Sequence, residues 1–135
     1  MSEWSKKDII QVKTLLYSTI VSLEIISEED EMVQGEFGDV EAVIQWKIGD
    51  VAAGYMEIKN SRVKAHMDII HPDPTVIITL TDPVAARDLL NGRADATKLF
   101  MKGKILVEGD TKKAMKLLSV NELVEDYIMI LTKKR

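Results

Sequence analysis

Two histidines, His66 and His71, are the only imidazoles in a chain of 135 residues that has no cysteine. That inventory limits the chemistry, because a hydrolase or transferase needs an activated nucleophile or a tuned acid and base. His66 falls on the polar side of an alternating stretch, and His71 opens the loop His71-Pro72-Asp73-Pro74. A metal site at either would have to recruit carboxylates from elsewhere in the chain, so both read as surface histidines. The acidic run Glu28-Glu29-Asp30-Glu31 supplies oxygens but lacks the spaced ligands and central glycine of a calcium loop, and is expected to be a solvated connector. Gly103-Lys104 matches the end of a phosphate-binding loop, yet the earlier glycine and the following Ser or Thr are missing. No catalytic residue, metal ligand or cofactor site is therefore expected.

The methionines are the remaining unusual feature. There are 7, and Met56, Met67, Met101, Met115 and Met129 fall on elements expected to touch the interior. Flexible thioethers suit either an irregular filled core or a pocket that adapts to apolar ligands, and the residues alone leave both readings open.

Composition excludes several classes. The chain is 46% hydrophobic and 30% charged, with 18 basic against 22 acidic residues and a net charge of −4. A nucleic-acid partner would call for a dominating basic field, and Trp4, Tyr17, Trp46 and Tyr55 are not interleaved with basic residues as a base-stacking platform requires. The absence of cysteine suits a reducing compartment, and the expected location is cytoplasmic. Gln11, Lys13 and Thr14 interrupt the apolar pattern near the N-terminus, so neither a signal peptide nor a membrane span is expected.

Periodicity supplies the elements that must position any site. Apolar residues at Ile9, Val12, Leu16, Ile20 and Leu23 predict an amphipathic helix over 5–27. Alternation then takes over: Ala42, Ile44, Trp46 and Ile48 share one face of a strand over 41–48. A two-residue turn at Gly49-Asp50 would set Ile48 opposite Val51, Trp46 opposite Ala53 and Ile44 opposite Tyr55 on a strand over 51–59. Asn60-Ser61 turns into a third strand over 62–69, with Val63, Ala65, Met67 and Ile69 on the apolar side. Beyond the proline loop come a fourth strand over 75–80, a helix capped by Asp82 with Val84, Leu89 and Leu90 buried, and a short helix from Asp95 to Gly103. A fifth strand over 104–108 carries Ile105 and Val107 on one face. Asp110 caps a helix bearing Ala114, Met115, Leu117 and Leu118, and Asn121 caps a last one bearing Val124, Tyr127, Ile128 and Leu131. No linker divides the chain, so residues 1–135 are expected to form one domain, with sheet and helices over 41–131.

The run from Asn91 to Asp110, Asn-Gly-Arg-Ala-Asp-Ala-Thr-Lys-Leu-Phe-Met-Lys-Gly-Lys-Ile-Leu-Val-Glu-Gly-Asp, continuing through Lys113-Ala114-Met115-Lys116-Leu117, resembles the sterol carrier protein family. The Thr79-Leu80-Thr81-Asp82 junction is also similar, and the likeness spans roughly 41–120. It implies an α+β fold: a five-stranded, largely antiparallel sheet with helices packed on one face and an apolar tunnel between the layers. It implies lipid binding without catalysis. The chain ends in Lys133-Lys134-Arg135, where peroxisomal members end in a Ser-Lys-Leu type signal, so organellar targeting is not expected.

These readings converge on non-catalytic binding or transfer of a fatty acid, acyl chain, sterol or isoprenoid. The sheet should contribute Ile44, Trp46, Met67, Ile78 and Val107 to the cavity wall, and the helices Met101, Met115, Leu118 and Ile128. The last helix is expected to act as a lid, with the basic tail meeting a membrane surface transiently. The alternative is a dimerisation or scaffold domain for a lipid- or quinone-related enzyme, and a homodimer is compatible with either reading.

Overall fold

The computed structural model describes residues 4–91, 93–117 and 120. Its first helix, α1, runs Lys6–Glu29, two residues past the expected end. Ser5 caps it by accepting from the Asp8 amide at 3.0 Å while Asp8 accepts from the Ser5 amide at 3.1 Å, the reciprocal box that satisfies orphan donors at a helix start. Val12, Leu16, Ile20 and Leu23 are buried along one face. An 18-residue window of α1 has mean hydropathy 1.5, enough by length and composition to cross a membrane, contrary to the sequence reading. Its buried stripe, however, is spent on the sheet beneath it.

The acidic run is not a connector. Glu28 and Glu29 finish α1, and the Asp30 carboxylate caps α2, Glu31–Phe37, accepting from the Met32 and Val33 amides at 2.8 and 3.1 Å. Val33 and Phe37, one turn apart, anchor α2 in the core, and Gln34 donates to the Ser27 carbonyl at 2.8 Å, closing the end of α1.

Five strands follow: β1 Ala42–Ile48, β2 Ala52–Lys59, β3 Arg62–Met67, β4 Val76–Leu80 and β5 Ile105–Gly109. Their order is β3-β2-β1-β4-β5, with β1 and β4 parallel and the other pairs antiparallel. The β1–β2 register differs from the expected one by a residue: Ile48 faces Ala52, Trp46 faces Gly54 and Ile44 faces Met56. A third loop residue, Val51, joins Gly49 and Asp50, and Gly49 adopts φ +53°. The shift has a physical reason, because a one-residue slip would turn Met56 and Ile58 off the covered face; in the structure Ala52, Gly54, Met56 and Ile58 are all buried.

β3 is a sheet edge, and α1 covers it. The Ser27 hydroxyl and the Glu24 carboxylate accept from the Val63 and Ala65 amides at 3.0 and 2.7 Å, which occupies donors that a free edge would present for aggregation. After Met67 the strand stops short of its expected end; Asp68 takes φ +60°, and Ile69 and Ile70 are exposed.

Helix α3, Pro83–Leu90, buries Ala85, Ala86, Leu89 and Leu90; Val84, expected inside, is 53% exposed. Asp82 caps α3 through the Val84 and Ala85 amides and pairs with Lys104 at 3.0 Å. Lys104 foremost, with those amides, holds the Asp82 carboxyl below its ordinary range against the opposing effect of burial. A depressed folded pKa means that the stabilisation is fully present above the unfolded value of 3.8 and fades as pH falls below it. Asp82→Asn keeps a capping oxygen but removes the charge paired with the half-exposed Lys104, so it should cost about 0.5 kcal/mol near neutral pH and much less in strong acid, measured by urea unfolding across that range.

Helix α4, Ala96–Met101, is capped by Asp95, and residues 111–117 form a further helix with Ala114 and Leu117 buried. α1 lies across β2 and β3 and alongside α3. These elements and Val120 close one shared core.

Candidate functional site

The inner face of the sheet is where the expected residues can be located. Ile44, Trp46 and Ile78 are 0% exposed and sit side by side, Ile44 beside Val76 and Trp46 beside Ile78 in the parallel β1–β4 pair. Met67 and Val107 are partly buried at the flanks and pack against the same core. Leu16, Ile20 and Leu23 of α1 belong to the same core cluster, with Leu89 and Leu90 of α3 and Leu117. The α1 residues were legible as a helical stripe but were not assigned to a cavity wall.

The helix-side expectation is corrected in part. Met101 is 80% exposed and Met115 44% exposed, so neither lies in the layer between sheet and helices. In the 111–117 helix the inward stripe is Ala114 and Leu117, and Met115, about 100° around from Ala114, is carried outward. α4 has no fully buried residue; Ala96 and Leu99 make its contact with the core. Leu118 and Ile128 lie outside the described residues, as do the expected last helix and its lid.

Polar groups inside are few and mostly satisfied. Thr19 donates to the Leu15 carbonyl at 2.8 Å and Ser27 to the Glu24 carbonyl at 3.0 Å. Gln45, read from sequence as a polar-face residue, is 1% exposed. Its amide donates to the Trp46 and Gly54 carbonyls at 3.1 and 3.0 Å and accepts from the His71 backbone amide at 2.8 Å, which ties the Ile69–His71 segment over the outer sheet face. The exception is the Trp46 indole: its Nε1 is buried with no hydrogen-bond partner.

The histidines lie on the opposite face from that layer. His66 bonds Glu57 at 2.8 Å and stacks on Tyr55 at 4.5 Å, and His71 meets the same ring edge-on at 4.9 Å. His71 Nδ1 also accepts from the Asp73 amide at 3.0 Å. Among the described residues no group of three or more His, Cys, Asp or Glu could hold a metal ion.

Two surface pockets are also present. One of about 630 Å³ lies between α1 and the end of α3, lined by Ile10, Gln11, Thr14, Leu15, Arg87 and Arg93 among others. The other, about 380 Å³, lies at the β1–β2 loop beside Ile69 and Ile70. None of the expected wall residues lines either.

The apolar sheet face is roofed by apolar helix stripes, and among the described residues it holds one buried donor without a partner. The family comparison agrees: residues 23–121 match the model of the SCP-2 sterol transfer family. The chain belongs to that family. Lipid binding and transfer are the general activity of SCP-2 proteins, and the mostly antiparallel α+β sheet of this SCP-2 chain is their fold. Solved structures share it. Sterol carrier protein 2 from Yarrowia lipolytica, in its apo form, superposes with TM-score 0.65 at 18% identity, covering 92% of this chain and 98% of that one. The sterol carrier protein domain 2 of Helicoverpa armigera gives 0.59 at 21%, covering 93% and 96%, and a UbiJ-SCP2 ubiquinone synthesis protein 0.57 at 13%, covering 90% and 100%. A sec-alkyl sulfatase is also similar, with TM-score 0.55 at 16% identity, but this SCP-2 chain covers only 14% of its length. Curated protein sequences gave no match.

Proposed function

We propose that the chain binds a single apolar lipid, a fatty acid, acyl chain, sterol or isoprenoid, between the inner sheet face and the helices, and transfers it without catalysing a reaction. The observation that carries this reading is the membership of residues 23–121 in a sterol transfer family, joined to an inner face on which Ile44, Trp46 and Ile78 are fully buried neighbours. Met67 and Val107 flank that wall. Each methylene removed from water contributes about 0.8 kcal/mol, so about ten give roughly 8 kcal/mol before the costs of ordering, and binding reaches the micromolar range only where those costs are small. The transfer step involves transient contact with a membrane surface from the cytoplasm.

A second reading has its own support. The structural likeness to a ubiquinone synthesis protein over 90% of this chain favours a scaffold or dimerisation domain serving a lipid- or quinone-related enzyme. Transfer of a fluorescent fatty acid between donor and acceptor phosphatidylcholine vesicles separates the two. Under the carrier reading the rate rises in proportion to protein concentration; a rate equal to that without protein, from folded protein, leaves the scaffold.

A further inference from the structure

Four polar side chains are buried among the described residues, and three of them have partners: Thr19 and Ser27 bond within α1, and Gln45 bonds four strand and loop groups. The fourth, Trp46, is 0% exposed and its Nε1–H has none. An indole nitrogen only donates, and a buried donor without an acceptor carries its full desolvation penalty. Buried tryptophans ordinarily find a partner.

The described neighbours of the indole offer it no acceptor. Trp46 lies on β1, the central strand of the five. Its neighbours on the inner face are Ile44 and Ile48 along the strand and Gly54 and Ile78 across it, none with a side-chain acceptor. The sheet carbonyls are committed to the strand ladders and those of α1 to its own helix. A resident water would need two or more polar partners, and among the described residues this apolar face supplies one donor.

We propose that the Trp46 Nε1–H is a recognition group: it donates to a neutral oxygen acceptor, an ester or ketone carbonyl or a hydroxyl, on an apolar molecule lodged against the inner sheet face. This rests on the lipid-binding reading above and narrows it to a ligand class. A bare hydrocarbon would leave the donor unpaired. An ionised carboxylate placed there would be a buried charge without a cation, since none of the buried polar residues described is charged. The oxygen must therefore be uncharged, and the ligand must be seated with that oxygen at the middle of the sheet rather than at the surface.

The test uses methyl palmitate and nonadecane, which have equal numbers of heavy atoms and differ in the ester. Protein is incubated with phosphatidylcholine vesicles holding both in equal amount, separated by size, extracted and analysed by gas chromatography. The parent should retain the ester in clear excess, and Trp46→Phe, which keeps a ring but removes the donor, should lose about tenfold of that preference. Equal retention of ester and alkane by the parent overturns the inference while leaving lipid binding intact; retention of neither overturns both. A second readout does not depend on the variant's folding. In the ¹H–¹⁵N spectrum of the parent, where Trp4 and Trp46 give the two indole signals, one indole Nε1–H should move downfield on addition of methyl palmitate and stay in place with nonadecane. Two unmoved indole signals in ester-loaded protein would exclude the contact.

Discussion

Gly109→Val should destabilise the domain by about 4 kcal/mol or more, most of the stability of a domain at the low end of the usual range of about 5–15 kcal/mol. Gly109 ends β5 at φ +100°, a backbone conformation that side-chain-bearing residues rarely adopt, and a Cβ placed there would collide with the Thr75 carbonyl oxygen. That oxygen cannot retreat cheaply, because it accepts from the Asp110 amide at 3.1 Å, while the Thr75 amide and hydroxyl bond the Val43 backbone at 2.8 and 3.0 Å. Valine adds β-branched bulk to a position that is already sterically closed. Loss of the cooperative thermal transition is the expected result; a melting temperature within a few degrees of the parent would mean that β5 does not end in this geometry.

Ile44→Ala is expected to cost about 3–4 kcal/mol, the range for truncating a fully buried branched side chain whose surroundings cannot collapse. Ile44 is 0% exposed and lies between Met56 on β2 and Val76 on β4, so strands on both sides fix its backbone and leave the cavity open. Urea unfolding should show a lower midpoint with an unchanged slope. A cost under about 1 kcal/mol would indicate a loosely packed wall at this position.

The inner sheet face was legible because alternation is an unambiguous signal over β1, where Ala42, Ile44, Trp46 and Ile48 are all buried. The first hairpin was not, because Gly49-Asp50 has the chemistry of a two-residue turn. What decides the register is the next strand: with Glu57 and Lys59 exposed and Met56 and Ile58 needing cover, Val51 must join the loop. α2 was hidden by its own N-terminal chemistry, since an acidic run that looks like a solvated connector also contains the Asp30 cap. Methionine type suggested Met101 and Met115 as wall residues, but position on the helix, not side-chain chemistry, carries them outward. Burial of Gln45 had no local signal at all, because it depends on a loop 24 or more residues away folding back over the strand. The resemblance in 91–117 identified the family that the model match places over 23–121.

The function turns on whether this domain holds a lipid. Native mass spectrometry of the purified protein, before and after incubation with vesicles containing a fatty acid, a sterol and methyl palmitate, together with mass analysis of the extracted lipid, measures that directly. A lipid-binding domain gives a species heavier than the 15.2 kDa chain by one lipid mass per chain, and the same lipid in the extract. A bare chain mass under every condition, with no lipid in the extract of folded protein, would contradict it.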